Sequence, residues 1–356
     1  MRIVVAMSGG VDSSVAAAVL ADEGHDVIGL SMQLYDQTDG ERAFGSCCTL
    51  DDLHDARRVA AAIDIPHYIM NFERQFDEQV VSNFVREYAA GRTPLPCAHC
   101  NSDLKFATLV DRAQGLGAEA VATGHYARVE HDQSRGRHLL KRGVDPSKDQ
   151  SYFLFSLTQD QLARAMFPVG DRAKDAVRQY ARARRLPVAD KPDSHEICFI
   201  PDDDYATFVT KYAPDTDRPG VIVDQSGRVL GGHSGIHHFT VGQRKGLGLS
   251  SSPTGAPMYV LALKPADQQV VVGPKAALEQ TRLTASEVNW IIGEPCTALR
   301  LTAQIRHRHP AAAATVRALD DRRAEVTFDD PQIAVTPGQA VVFYDGDIVA
   351  GGGWID

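Results

Sequence analysis

An apolar run, Ile3-Val4-Val5-Ala6, passes directly into Met7-Ser8-Gly9-Gly10-Val11-Asp12-Ser13-Ser14. A helical pattern then runs from Val15 to Leu20 and stops at Gly24. Strand, glycine turn, helix is the order this spacing predicts. Adjacent glycines let a backbone approach an anion closely, and a helix start offers unpaired N–H groups and the positive end of a dipole. Ser8, Ser13 and Ser14 add hydroxyl donors, and Asp12 is placed to hold a magnesium ion beside phosphates. No lysine follows the glycines, which excludes the loop that grips a γ-phosphate through a Lys. For the glycine pair alone, an ordinary βα turn of small residues is an equal explanation.

The alternation of strand and helix continues to about residue 130. Residues 26–32 read as a strand, 51–63 as a helix, 65–70 as a strand, 76–90 and 105–115 as helices, and 120–126 as a strand ending in a glycine turn. This predicts an α/β domain with a parallel sheet and ligands at the strand C-terminal ends, where residues 8–13, Met32 and Gly124-His125 fall. An arginine-rich helix is predicted over 174–185. From about residue 201, turns at Pro219-Gly220, Ser226-Gly227 and Gly231-Gly232 separate short β runs such as 221–223 and 259–263, which predicts a small β-rich domain. Further runs at 299–305, 313–318, 324–328, 340–344 and 348–350 predict a closed antiparallel barrel. The domain division expected is 1–200, 201–280 and 281–356.

With 44% hydrophobic and 23% charged residues the chain has a soluble globular composition. It lacks an apolar run long enough to span a membrane, and no signal peptide precedes the first strand, so a cytoplasmic protein with no membrane partner is expected. Six cysteines in 356 residues then point to metal ligands, catalytic thiols or core residues rather than a disulfide scaffold. Cys97 and Cys100, in Thr93-Pro94-Leu95-Pro96-Cys97-Ala98-His99-Cys100-Asn101, share a face if they sit on a first helical turn, where a thiol's pKa is lowered. Cys198 lies in Asp193-Ser194-His195-Glu196-Ile197-Cys198-Phe199-Ile200-Pro201, with His195 a candidate to tune it. A CxxC is also half of a zinc site, but no second CxxC or HxxxH supplies a clean partner set. Taken alone, each of these cysteines is more often a small buried hydrophobe than a catalyst, and Cys47-Cys48 and Cys296 read as structural.

The net charge of −9 weighs against nucleic acid, so an RNA partner must rest on local basic sites. Three exist: Arg178, Arg182, Arg184 and Arg185; Gln243-Arg244-Lys245-Gly246; and Arg306-His307-Arg308-His309. On different domains, they predict a concave basic path. Tyr126, Tyr152, Phe153 and Phe155 read as core residues, while His125 at a strand end beside Gly124 reads as part of the site.

The glycine turn resembles the PP-loop of ATP pyrophosphatases, which split ATP between the α- and β-phosphates and attach AMP to a substrate. Seven motifs occur in one order across nearly the full chain: SGGVDSS, ATGHY at 122–126, TPLPCAHCNSDLKF, KDQSYFL from Lys148, ICFIP, GQRKGLG from Gly242 and TPGQAVVFYDGD from Thr336. Together they resemble the bacterial and organellar tRNA-specific 2-thiouridylases, which thiolate the wobble uridine of certain tRNAs. The resemblance implies a PP-loop (adenine nucleotide alpha hydrolase-like) domain, a central β-rich tRNA-binding domain and a C-terminal β-barrel. It implies ATP and Mg2+ as cofactors, and as partners the anticodon arm of a tRNA and a persulfide donor or sulfur-relay protein. Ala6, Met7, Ser8, Gly9, Gly10, Val11, Asp12, Ser13, Met32 and Gly124 match the family's ATP-binding positions. Leu95, Pro96 and Cys97 match the loop that meets the target base. His125, Lys148, Asp149, Gln150, Arg306, His307 and Gln339 match tRNA-contact positions.

By the same resemblance Cys198 carries the persulfide and Cys100 is the nucleophile, and turnover leaves a Cys100–Cys198 disulfide to be reduced. Some members have an aspartate, assigned as general base, where this chain has Cys97. Cys97, Cys100 and Cys198 also make three thiolates able to hold three irons of a [4Fe-4S] cluster, with the fourth iron open to sulfide. Two other readings stand beside these. A PP-loop amide-forming ligase leaves the thiols and the barrel without a task, and a non-catalytic metal- or RNA-binding protein predicts no pyrophosphate release.

Overall fold

The computed structural model describes residues 1–34, 50–193, 197–200, 204–249 and 256–356. Cys47, Cys48 and His195 lie outside the described residues.

Ile3, Val4 and Val5 are all fully buried, as an apolar run in a sheet covered on both faces must be. Their strand, β1 (Arg2–Ala6), lies at the centre of a five-stranded parallel sheet with β2 (Asp26–Gln33), β3 (His67–Asn71) and β4 (Ala120–Ala122). A hairpin, β5 (Ala127–Asp132) and β6 (Arg137–Arg142), intervenes before β7 (Ala165–Met166) completes that sheet in the order β3-β2-β1-β4-β7. Alternate residues of β1 feed opposite cores. Ile3 and Val5 belong to one buried cluster with Val15, Val19, Val177 and Ala181, and Val4 to another with Leu30, Phe76, Leu104 and Leu109. The chain runs outward from β1 to β2 and β3, then returns to β1's other side as β4. The crevice at the C-terminal ends of β1 and β4 is thus the switch point where such sheets take ligands.

The helices differ from the expected bounds. One helical stretch runs through Glu73–Phe76, Asp77–Val81 and Ser82–Ala89, and another through Pro96–His99, Cys100–Thr108 and Leu109–Gly115. The second therefore begins nine residues before the expected start at 105, with Pro96 in its first turn, where proline's missing N–H costs nothing. The strand expected over 120–126 stops at Ala122, which frees Thr123 to Tyr126 to line the crevice. The expected 174–185 helix is Lys174–Ala183.

After the helix Tyr205–Tyr212 comes a four-stranded sheet of β8 (Gly220–Asp224), β9 (Val229–His233), β10 (Tyr259–Lys264) and β11 (Gln269–Gly273), in the order β10-β11-β8-β9. The last six strands are β12 (Glu279–Trp290), β13 (Leu299–Gln304), β14 (Ala312–Leu319), β15 (Arg323–Ile333), β16 (Ala340–Asp345) and β17 (Ile348–Ile355). They run β12-β15-β14-β13-β16-β17, and β12 pairs with β17 to close an antiparallel barrel. Closure removes the sheet edges. The β5–β6 hairpin extends this barrel's sheet through Lys141 opposite Ile348. Ala340, Val342, Tyr344 and Val349 of the barrel belong to the same buried cluster as Phe76 and Leu104, so the barrel and the helical face share one core.

Candidate functional site

The glycine turn leads into a 12-residue helix, Val11–Asp22, whose cap position, Gly10, makes no side-chain capping bond. The first-turn amides of such a helix remain available to an anion. Gly9 has φ +73°, and a Cβ there would stand 2.1 Å from the carbonyl oxygen of Asp52. Ser13 Oγ accepts from Ser8 N at 3.2 Å and donates to Gly10 O at 3.2 Å, while Ser14 Oγ donates to Gly10 O at 2.8 Å. The serines thus shape the loop as well as offering hydroxyls. Gly124, arriving from β4, presses against this turn: a Cβ on it would lie 2.5 Å from Ser13 N and 2.7 Å from the carbonyl carbon of Asp12. Met7, Val11 and Met32 are buried around the turn. The sequence-predicted nucleotide residues are therefore brought together at the switch point.

Lysines supply the positive charge that the turn itself lacks, from far along the chain. Lys174 Nζ, on a nearly buried side chain, donates to both carboxylate oxygens of Asp12 at 2.8 Å, and Tyr126 OH donates to Asp12 Oδ1 at 2.7 Å. Burial, and then the neighbouring Asp12 charge, push the Tyr126 phenol far above its ordinary range, so it stays protonated as a donor. Lys191 Nζ donates to Gly9 O at 3.1 Å and pairs with Asp52 and Asp55 at 2.6 and 2.7 Å.

Asp193 continues the network towards Cys198. It is bound by Lys148 at 2.8 Å, Lys174 at 2.9 Å and Arg178 at 2.6 Å. Burial opposes its ionisation, but the bonds from Lys148 and Lys174 outweigh that and hold the carboxyl well below the usual carboxylate range. A carboxyl with a depressed folded-state pKa adds stability that is fully present above the unfolded value and is lost as pH falls through the folded one. Asp193→Asn is therefore expected to flatten the pH dependence of the urea midpoint between about pH 5 and pH 2. The same slope in both proteins would refute the assignment.

The thiol helix is held from several sides. Cys97 is half-buried and Cys100 buried, three residues apart on one helical stretch as the spacing predicts. Cys100 opens a stretch of widened helical turns, a feature frequent at functional sites. The ring of His99 stacks on Trp354 of β17, with centroids 4.5 Å apart and planes 5° from parallel, and its Nδ1 lies 3.0 Å from Asp103 Oδ2. Gln339 Nε2 donates to Thr93 O and Pro94 O at 3.1 and 3.2 Å, and Thr93 N donates to Pro337 O at 2.8 Å. The barrel thus grips both ends of the segment that carries Cys97.

Cys198 is half-buried and packs against the same core cluster that contains Cys100. Its neighbour Phe199 lies 5.4 Å from Phe76 and 5.3 Å from Phe84, on the helical stretch against which the thiol helix also packs. Both thiol segments therefore flank residues 76–84.

The remaining predicted residues are placed as follows. Leu95 and Pro96 are buried, and of that trio only Cys97 presents surface. His125 is half-buried just beyond the end of β4, with Thr123 Oγ1 2.7 Å from Nδ1. Burial, then the Lys105 charge, pull its pKa down to about 3, so it meets any ligand as a neutral imidazole. Asp149 accepts from Arg142, Gly143 N and Ser151 N, and Gln150 is hydrogen-bonded to the backbone of Tyr126 at both N and Oε1. Their side chains order the turn that carries Lys148. Arg306 is half-buried, and His307 is exposed with its ring 4.4 Å from Phe153. Tyr126, Tyr152 and Phe155 are core residues, whereas Phe153 is half-buried. Cys296 is exposed and adds nothing to a core.

One expected basic site is corrected. Arg178 is bound to Asp193, Arg182 to Asp190 and Arg184 to Asp22. Arg184 and Arg185 also lie beyond the end of the helix. Three of the four arginines are thus neutralised locally. Arg244, Lys245 and Arg308 remain exposed. Missed by sequence reading were Lys174, Lys191 and Trp354, for which no local pattern signals a partner more than a hundred residues away.

Residues 1–202 match the family model described as tRNA methyl transferase HUP domain, 206–274 the tRNA methyl transferase PRC-barrel domain, and 280–355 the aminomethyltransferase beta-barrel domain. The tRNA-specific 2-thiouridylase MnmA of Geotalea uraniireducens is 52% identical over 360 residues, covering 100% of this chain and 95% of that protein. The protein of the same name from Solibacter usitatus is 52% identical over 370 residues, covering 99% of each. Among solved structures, a 4-thiouridine synthetase–RNA complex with bound ATP aligns with a TM-score of 0.35 at 15% identity, over 60% of this chain and 50% of that one. Among the described residues no helix is long and apolar enough to cross a membrane. By its full-length identity to those relatives, the chain belongs to the tRNA-specific 2-thiouridylase family.

Proposed function

We propose that this protein replaces the C2 oxygen of a tRNA wobble uridine with sulfur, at the expense of ATP. The observation that most supports the reading is one arrangement: an uncapped glycine turn at the switch point of the sheet, joined by the Asp12–Lys174–Asp193 ion pairs to a residue five positions before Cys198 in the chain. A uracil oxo group is a poor leaving group. Its oxygen attacks the α-phosphorus of ATP, the bond to the β-phosphate oxygen breaks, and pyrophosphate departs, leaving C2 bonded to an AMP oxygen. Residues 6–13 and Gly124 hold the nucleotide, and Lys174 and Lys191, each held by two carboxylates, fix the turn around it. Asp12 serves a magnesium ion only if Lys174 Nζ gives way, because that lysine occupies both carboxylate oxygens.

A persulfide on Cys198, loaded beforehand by a sulfur donor, then attacks C2 through its terminal sulfur and AMP leaves. Cys100 thiolate attacks Cys198 Sγ, breaks the S–S bond and releases the 2-thiouridine, with a Cys100–Cys198 disulfide as the oxidised product. An external thiol supplies the two electrons that reset it. Cys97, half-buried and three residues before Cys100, is the group that would accept a proton. The exposed Arg244, Lys245 and Arg308 suit phosphate contacts.

In the alternative route the same three thiols would serve as the donor set for a [4Fe-4S] cluster, which would supply an open iron for sulfide. Iron and labile sulfide after anaerobic purification would favour that route. The reaction itself is tested with ATP, magnesium, a persulfide donor and unmodified tRNA. The expected result is one nucleoside per tRNA heavier by the exchange of oxygen for sulfur, with one AMP and one pyrophosphate released for each. Pyrophosphate without thiolated nucleoside would support a ligase instead, and no ATP consumption a binding protein.

A further inference from the structure

We propose that Asp217, His237 and His238 form a binding site for a divalent transition metal of the zinc class. The site joins the segment that follows Cys198 to the four-stranded sheet of β8–β11. Asp217 comes just after the turn Pro214–Thr216, which follows the helix Tyr205–Tyr212, and the two histidines occupy the short turn Ile236–His238 beyond β9. One ligand atom from each of the three residues lies within 4.8 Å of the others. Asp217 Oδ1 is 3.4 Å from His237 Nε2 and 3.6 Å from His238 Nε2.

A tetrahedral zinc ion with bonds of about 2.0–2.2 Å holds neighbouring ligand atoms roughly 3.3–3.5 Å apart, so two edges of the coordination polyhedron are nearly preset. Two imidazoles and one carboxylate suit zinc better than calcium, which takes oxygen ligands. His237 is fully buried, and its ring is fixed in place: a Cβ on Gly235 would stand 2.4 Å from His237 Cε1, so glycine leaves the space the ring fills. Asp217 is exposed and His238 half-exposed, which leaves an entry path and a fourth position for water or an incoming ligand. Thr210 Oγ1 lies 3.0 Å from His237 Nε2 and orients the ring towards Asp217.

Such a metal would have a structural effect on the thiol site. Phe208 of the helix Tyr205–Tyr212 lies 5.3 Å from Phe199, the neighbour of Cys198. Fastening the end of that helix to the four-stranded sheet braces the segment downstream of the reactive thiol.

The test uses the full chain stripped by a chelator, with Cys97, Cys100 and Cys198 replaced by serine to remove competing thiolates. It is titrated with Zn2+ against a chromophoric competitor. Relative to that background, His238→Ala is expected to lose one zinc equivalent, with affinity at least roughly 100-fold weaker, and Asp217→Asn to bind at least about tenfold more weakly. Both side chains reach the surface, so the fold should persist, as circular dichroism would verify. In the wild-type chain, zinc should slow amide exchange across 205–217, and His238→Ala should abolish that slowing. Equal zinc stoichiometry and affinity in the background and both variants would mean a hydrogen-bonded Thr210–His237–Asp217 cluster only, and would overturn the proposal.

Discussion

Cys198→Ser is expected to lower 2-thiouridine formation by at least about 10^3-fold while leaving ATP affinity within about twofold of wild type. Serine oxygen cannot store a transferable sulfur, and its hydroxyl is almost wholly un-ionised at neutral pH. The nucleotide turn is built from other residues, Gly9, Ser13 and Gly124, so it has no reason to change. Cys100→Ser should be equally inactive in turnover but should leave a distinct trace. With Cys198 persulfide intact, sulfur still reaches C2, and the Cys100 thiolate that would break the Cys198 S–S bond is gone. A protein–tRNA adduct that dissolves on addition of a small thiol should then accumulate, visible as a retarded band under non-reducing denaturing conditions. If Cys100 instead strips sulfur from the persulfide before C2 is attacked, that band will not form. Undiminished product from either variant would remove the two-thiol mechanism. Cys100 is 7% exposed, so its serine variant also buries a hydroxyl at a cost of about 1–3 kcal/mol, and its folding must be checked before its inactivity is interpreted.

The parts of the fold that were legible in the sequence are those whose signal is local. The run Ile3–Val5 can only be an interior strand, and the glycines after it can only be a tight turn. The helix Val11–Asp22 announces itself by small apolar residues. The barrel strands were readable because turn residues interrupt them at short intervals. What escaped depends on partners distant in the chain. The β5–β6 hairpin looks like a solvent-facing connection until β17, about two hundred residues later, pairs with it at Ile348. Lys174 opens an arginine-rich helix and reads as one more solvated cation, yet it is nearly buried between Asp12 and Asp193. The reverse error befell Arg178, Arg182 and Arg184. Their clustering suggested a face for phosphate, whereas each has a carboxylate partner that sequence spacing does not reveal. In the same way Gln339 matched a tRNA-contact position, and its amide is already donating to the carbonyls of Thr93 and Pro94. A contact with RNA there would have to compete with, or work through, the clamp on the thiol helix.

Gly124→Val should produce the complementary defect. A Cβ at 124 would lie 2.5 Å from Ser13 N, 2.7 Å from the Asp12 carbonyl carbon and 2.9 Å from Ser13 Cα, all of them backbone atoms at the start of the helix Val11–Asp22. Such atoms cannot rotate aside as a side-chain tip would. Either the helix start shifts, taking the glycine turn with it, or β4 withdraws from β1. Overpacking of this kind costs about 1–3 kcal/mol of stability, measurable as a lower urea midpoint. More telling is the expected loss of at least roughly 100-fold in ATP affinity, because the first-turn amides and Ser13 no longer face the same point. The thiols, on the other face of the sheet's helical layer, should alkylate at wild-type rates. An equimolar mixture of Gly124→Val and Cys198→Ser chains is then expected to remain inactive if the nucleotide and the persulfide act within one chain, whose turn is tied by ion pairs from Asp12 through Lys174 to Asp193, five residues before Cys198. Recovery of activity in that mixture would show that a nucleotide bound by one copy serves the cysteines of another, and wild-type ATP affinity in Gly124→Val would show that Gly124 does not support the turn.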